Sequence, residues 1–169
     1  MVHEGLPWRG SFRNAGEIGH VPMVVGGEPC PCGNRGCLER YLSLEAFSRR
    51  SPETGRDGWI EEVAPLLRNA VVTIENLFDP QTIIVGGLAD EALLADLLKA
   101  AHPLPNSISE RANRDGPRIT RSDIGPDAVL RGAAALALAG NLSPRFGIMF
   151  AQDDERSGKD AMFGRRHVA

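Results

Sequence analysis

Four residues in the first quarter of the chain have the types and spacing to hold a metal ion. His20, Cys30, Cys32 and Cys37 follow the pattern His-x9-Cys-x-Cys-x4-Cys. Three thiolates and one imidazole are the ligand set of a closed, tetrahedral structural zinc site. Gly33 and Gly36 allow the backbone to turn tightly enough for Cys32 and Cys37 to converge, and Pro29 and Pro31 limit the entropy lost on ordering. Cys30 and Cys32 are too close in sequence for an unstrained disulfide, so the competing reading is three free or reactive thiols. All the cysteines of the chain lie in this one loop, which argues against a disulfide framework. A metal bound here would also fix the loop, because metal-binding energy is folding energy.

Two carboxylates flank the loop. Glu17 precedes His20 in Ala15-Gly16-Glu17-Ile18-Gly19-His20, and Glu39 follows Cys37-Leu38. Carboxylates accept hydrogen bonds from vicinal hydroxyls, so Glu17, His20 and Glu39 could hold a hydroxyl-rich ligand. The residues alone support equally well a plainer role, in which both acids cap or solvate the loop.

The elements that would carry these groups alternate between strand and helix. Val21 to Val25, followed by Gly26-Gly27, reads as a strand ending in a turn, with the cysteine loop after it. Leu38, Tyr41, Leu42 and the segment Glu45 to Phe47 fit a short helix, and Ser51 to Gly58 reads as a loop. From Trp59 to Phe78 a helical face gathers Ile60, Val63, Leu67, Val71, Ile74 and Phe78, with a kink or a new start expected at Pro65. Thr82 to Val85, ahead of Gly86-Gly87, is a short apolar run of the kind buried on both faces of a parallel sheet. Asp90 can cap a helix running to about Ala101, with Leu93, Leu94, Leu97 and Leu98 on its inner side. A further strand is expected at Arg118 to Ser122. An Ala-rich helix is expected from Asp127 to Leu138, where Gly132 would permit close packing. The polar, charged residues from about Gln152 are expected to be disordered. The fold class is therefore α/β.

Composition bounds the rest. A chain of 169 residues suits one domain that buries about 70% of its unfolded surface. The 42% hydrophobic content excludes general disorder, and a net charge of -3 with scattered arginines gives no global reason to bind nucleic acid or an anionic membrane. No apolar run reaches the roughly 20 residues that span a bilayer, and the first residues lack signal-peptide regions. A cytoplasmic location is the expectation.

Taken together, Ala15-Gly16-Glu17-Ile18-Gly19-His20 and Cys30-x-Cys32-Gly33-x-x-Gly36-Cys37-Leu38-Glu39 resemble the signature of the ROK family of bacterial sugar kinases and sugar-responsive transcriptional repressors. Gly5-x-x-x-Arg9-Gly10 is similar to the hairpin leading into that signature. Ile83 to Gly87 is similar to the family's adenosine-contacting strand and turn, and Asp127 to Ala135 to its closing helix. The resemblance runs from about residue 5 to 140. It implies the C-terminal lobe of an actin-like, ribonuclease-H-like sugar kinase over residues 1–145, with a zinc loop at 20–37 and a polar tail at 146–169. It implies sugar-hydroxyl contacts at Glu17, His20 and Glu39, a structural Zn2+ on His20, Cys30, Cys32 and Cys37, and nucleotide contacts at Gly86 and Gly87.

A complete kinase of this family has an N-terminal lobe with an Asp-x-Gly-x-Thr phosphate loop and a catalytic Asp, and this sequence contains no match to either. It contains no winged helix-turn-helix either, so direct contact with nucleic acid is not expected. ATP and Mg2+ chemistry is expected only if that lobe is supplied, and the isolated chain is expected to be inactive. Asn141 to Phe146 is similar to extensions of repressor-type members. The expectation is a sugar-binding lobe of a ROK transcriptional regulator, its ligand a hexose or N-acetylhexosamine. The alternatives are the C-terminal half of a hexose or N-acetylhexosamine kinase, and a remnant that keeps the knot only for folding. A lobe of this kind should expose apolar surface and self-associate through it.

Overall fold

The computed structural model describes residues 1–3, 5–110, 114–125 and 127–142. Contacts divide the chain into two units, Met1–Asp123 and Ile124–Ala169. The first begins with a hairpin of β1 (Val2–His3) and β2 (Leu6–Pro7), paired antiparallel with Val2 opposite Pro7. Two single 3-10 turns follow, Ile18–His20 and Leu38–Arg40, with the cysteine loop between them.

The expected strand at Val21 to Val25 does not form. Pro22 lacks a donor and makes one isolated bridge to Cys37, and the amide of Gly27 then closes a turn onto the Val24 carbonyl. The amides of Met23 and Val24 both donate to the Gly36 carbonyl, and that of Leu38 to Val21. The segment is thus bound to the cysteine loop and joins no sheet.

Helix α1 runs from Leu44 to Phe78, with the Ser43 hydroxyl accepting from the Ala46 amide as its N-cap. The loop expected at Ser51 to Gly58 is helical, and the one break is at Gly55, whose φ of 72° and ψ of 172° suit glycine. Pro65 causes no departure from helical dihedrals. The hydrogen bond it removes would have ended on the carbonyl of Glu61, on the exposed side of the helix where water can replace the lost donor. The buried face holds Ile60, Val63, Leu67 and Val71 as expected, but also includes Trp59 and continues to Glu75, while Ile74 is half-buried and Phe78 is exposed.

Strands β3 (Ile83–Val85) and β4 (Ile119–Arg121) pair in parallel, with Ile83 opposite Ile119 and Val85 opposite Arg121. Helix α2 (Glu91–Ala100) is capped by the Asp90 carboxylate, which accepts from the Leu93 amide, and buries Leu93 and Leu97. One core joins Tyr41, Trp59, Ile60, Val63, Leu67 and Val71 to Leu93, Leu97, Ala101 and Ile119. The second unit holds helix α3, Ala128–Leu142. Nothing among the described residues lies within 4 Å of a side chain built at its Gly132. The expected lobe boundary at 145 and the expected disordered tail lie outside the described residues.

Candidate metal centre and the groups around it

The cysteine loop is organised first by close backbone crossings. Gly36 (φ 75°) passes so near Val24 that an added Cβ would lie 1.7 Å from the Val24 carbonyl oxygen. Only glycine fits that crossing. At Gly27 a Cβ would meet the Tyr41 hydroxyl at 2.3 Å and the Gly36 Cα at 2.9 Å. Between these crossings the Cys30 amide donates to the Asn34 carbonyl and the Gly36 amide to the Glu28 carbonyl.

These constraints bring four expected residues together. The ligand atoms of His20, Cys30, Cys32 and Cys37 all lie within 4.8 Å of one another. Cys32 Sγ is 3.6 Å from Cys37 Sγ, and Cys30 Sγ is 3.5 Å from His20 Nδ1. A tetrahedral ion with metal–sulfur bonds of about 2.3 Å sets sulfurs ~3.7 Å apart, so these separations fit such an ion. Cys30 and Cys37 are buried and Cys32 is exposed. The Cys37 thiol also points at the His20 carbonyl, 3.4 Å away.

The thiols differ in acidity. A hydrogen bond from the Asn34 backbone, then the neighbouring Cys30, lowers Cys32 to about 7. Burial, then the two other cysteines, pushes Cys37 up to about 12. A divalent cation bound there would override this difference, because it stabilises every thiolate it touches.

Glu39 belongs to the same cluster. Its Oε1 is 3.7 Å from His20 Nδ1 and accepts from Cys30 Sγ at 3.6 Å. Gly19 leaves room for it: a Cβ there would be 3.3 Å from the Glu39 Cβ. Both His20 and Glu39 remain partly exposed, with 36% and 40% of their side chains accessible. The face of the cluster they form is therefore open to a solute. Glu17 sits at the start of the 3-10 turn that ends in His20, is exposed, and does not cap that turn with its carboxylate.

Gly86 and Gly87 end β3, away from the cysteine loop in sequence. A Cβ at Gly86 would lie 2.7 Å from that of Ser122, so packing between the ends of β3 and β4 accounts for this glycine without a ligand. Gly87 differs. Its φ of 138° favours glycine, and the space beside it is open.

Two acids that the sequence reading left out prove central to this unit. Glu28 lies two residues before Cys30 and pairs with Arg40, Arg49 and Arg50. Glu75 is buried in α1 and is held by Arg118, with Nε 2.9 Å and Nη2 2.5 Å from its two oxygens. Neither belongs to a motif, and their partners lie 12 to 43 residues away in sequence, so spacing alone gives no sign of them.

Comparison with known proteins shows what the chain is similar to. A family model described as the ROK family matches residues 1–139. The kanosamine kinase of Amycolatopsis mediterranei is 30% identical over an alignment covering 81% of this chain and 51% of that enzyme. The DNA-binding transcriptional dual regulator NagC of Escherichia coli is 28% identical, covering 73% of this chain and 37% of the regulator. Among solved structures, a ROK family glucokinase from Streptomyces griseus, in complex with glucose and AMPPNP, superposes with a TM-score of 0.55 at 26% identity. That match covers 78% of this chain and 54% of the glucokinase. The chain spans about half or less of the length of these relatives.

Proposed function

The chain belongs to the ROK family, and on that premise we propose that it is a zinc-containing, sugar-binding lobe of a ROK transcriptional regulator. The observation that carries the metal- and sugar-binding parts of this reading is the convergence of His20, Cys30, Cys32 and Cys37 with the Glu39 carboxylate at one partly exposed face. Bound zinc would supply structural cross-linking of the loop and no reactive position, since all four places are taken by protein ligands. His20 offers Nδ1 to the cysteine side, which leaves Nε2 to meet a sugar hydroxyl. Glu39 and Glu17 would accept hydrogen bonds from neighbouring hydroxyls of a hexose or N-acetylhexosamine. The glucose-bound glucokinase and the NagC regulator support a sugar as the ligand class. No helix among the described residues is long and apolar enough to cross a membrane, and a cytoplasmic location is part of the proposal.

The exposed apolar surface fits a lobe that packs against further polypeptide. Ile84, in the middle of β3, is 64% exposed on a parallel pair, although parallel strands are normally covered on both faces. Self-association through such surface is the expectation for the isolated chain.

Gly87 supports a second reading, the C-terminal half of an ATP-dependent sugar kinase. Its left-handed backbone and the open space beside it would let a flat adenosine approach. The kanosamine kinase supports this reading too, and phosphoryl transfer would then rest on groups outside this lobe.

The test uses zinc-replete protein in a thermal-shift assay against glucose, N-acetylglucosamine, other hexoses and a non-hydrolysable ATP analogue. A shift with a sugar supports the shared site, and one with the nucleotide as well favours the kinase reading. No shift with any sugar, in protein shown by elemental analysis to carry zinc, overturns the sugar-binding proposal.

A further inference from the structure

The metal reading leaves unexplained why the cysteine loop should sit in one place relative to the rest of the molecule. Its other attachment is Glu28. The Glu28 amide donates to the Tyr41 hydroxyl at 2.9 Å, and its carbonyl accepts from the Gly36 amide at 2.8 Å. Its carboxylate meets three guanidinium groups: Arg49 at 2.9 Å, Arg50 closer still, and Arg40 at 3.8 Å. Arg49 and Arg50 belong to α1, and Arg40 follows Glu39 directly. Arg50 also lies over the Tyr41 ring, 4.8 Å from its centre, and pairs with Glu62 one helical segment further on. Glu45 accepts from both Arg40 and Arg49. One carboxylate thus joins the segment entering Cys30, the turn that carries Glu39, and the first segment of α1.

Resting on the metal reading above, we infer that Glu28 is a positioning residue, which holds the Cys30 end of the metal loop and the Glu39 turn in fixed relation by clamping Arg40, Arg49 and Arg50. It touches neither the ion nor a sugar. Its effect runs through the loop backbone, two residues before Cys30, and through Arg40, one residue after Glu39. These pairs are partly shielded, with 18% of the Arg50 and 28% of the Glu28 side chain exposed, so salt weakens them without abolishing them.

The readout is zinc release from the loaded protein to an excess of a chromogenic chelator, followed as a rate. Glu28→Gln keeps the shape and removes the charge. Release should quicken about tenfold, the lower end of what losing a group that orients metal ligands costs. Simple Coulomb attraction also quickens release from Glu28→Gln, because the departing dication loses a nearby negative charge. The sign that separates the two explanations is that of Arg49→Gln: deleting a positive charge should by itself slow loss of the dication, whereas loosening the clamp speeds it. Added salt should speed release from the native protein and have less effect on the variant, because the pairs it screens are already gone. Arg49→Gln, which leaves Arg40 and Arg50 on Glu28, should give a smaller change in the same direction, and serves if Glu28→Gln does not fold. Native protein that takes up no zinc overturns the metal reading and this inference with it. Zinc-loaded variants that release the ion at the native rate overturn the role of Glu28 alone.

Discussion

Replacing Glu75 should destabilise the first unit more than any exposed ion pair in the molecule. Its carboxylate is fully buried and receives two hydrogen bonds from Arg118, while Arg114 lies 3.7 Å away. The Ser109 hydroxyl donates to the Glu75 carbonyl at 2.8 Å and fastens the same turn of α1. Each hydrogen bond to a charged group contributes roughly 1.5–3 kcal/mol, and removing one partner of a buried pair costs roughly 3–5 kcal/mol. Arg118 keeps two other partners, the Pro105 carbonyl at 2.8 Å and Glu110 at 3.7 Å, which places Glu75→Ala at the low end, about 3 kcal/mol. Glu75→Gln, which retains one acceptor, should cost about 2 kcal/mol by the same reasoning. Glu91→Ala breaks the exposed pair with Arg121 and should cost under about 1 kcal/mol. The pH dependence fixes the cause. The Arg118 guanidinium, above all, holds the Glu75 carboxyl below its ordinary value of 4.5. On falling pH the unfolded chain takes up this proton first, so the contribution of Glu75 is complete above about pH 4.5 and fades as pH drops through the lower, folded value. Urea unfolding followed by tryptophan fluorescence, with Trp59 in the core as reporter, measures the native protein and each variant at pH 7 and pH 3. The difference between native and Glu75→Gln should shrink at pH 3. A cost under about 0.5 kcal/mol at pH 7 would refute the pairing argument. So would an undiminished cost at pH 3.

Cys32→Ala removes a thiolate from the cluster and should lose zinc and lower the melting temperature of metal-loaded protein, which elemental analysis and calorimetry check together. Glu39→Ala should weaken sugar binding by isothermal titration while zinc content stays at the native level; loss of zinc would instead make Glu39 part of the metal's own support. Gly36→Ala should leave little folded, zinc-binding protein, because its Cβ would overlap the Val24 carbonyl oxygen. Gly86→Ala, crowded only against Ser122, should cost about 1–3 kcal/mol by chemical unfolding as an overpacked site.

The sequence made local features readable and long-range ones not. The Cys/His spacing predicted a cluster because the ligands lie within one short loop, where glycines and prolines limit the paths the chain can take. Helix α2 was legible from its Asp90 cap and leucine period; β3 was legible as a strand from its apolar run, but the burial expected on both its faces is not found, since Ile84 is exposed and Ile83 and Val85 are half-buried. The strand expected at Val21 to Val25 failed for a reason that apolar content cannot express: Pro22 and the crossing at Gly36 tie those residues to the loop instead of to a sheet. The polar stretch at Ser51 to Gly58 reads as a loop by composition, yet helical backbone continues on both sides of Gly55, with Arg50 held by Glu28 and Glu62 just before it. Glu75 stands four residues after Val71 on the buried row of α1. Hydrophobic periodicity passes over it, because a charge on that row becomes tolerable only with Arg118, 43 residues away. Glu28 shows the same logic at the site. Candidate metal ligands can be read from their own chemistry, whereas the groups proposed to fix where the loop sits are ordinary surface-type acids and arginines. Their meaning comes from which helix they meet, so the part of this site open to inference from sequence is the set of candidate ligands. What aims it emerges only from the fold.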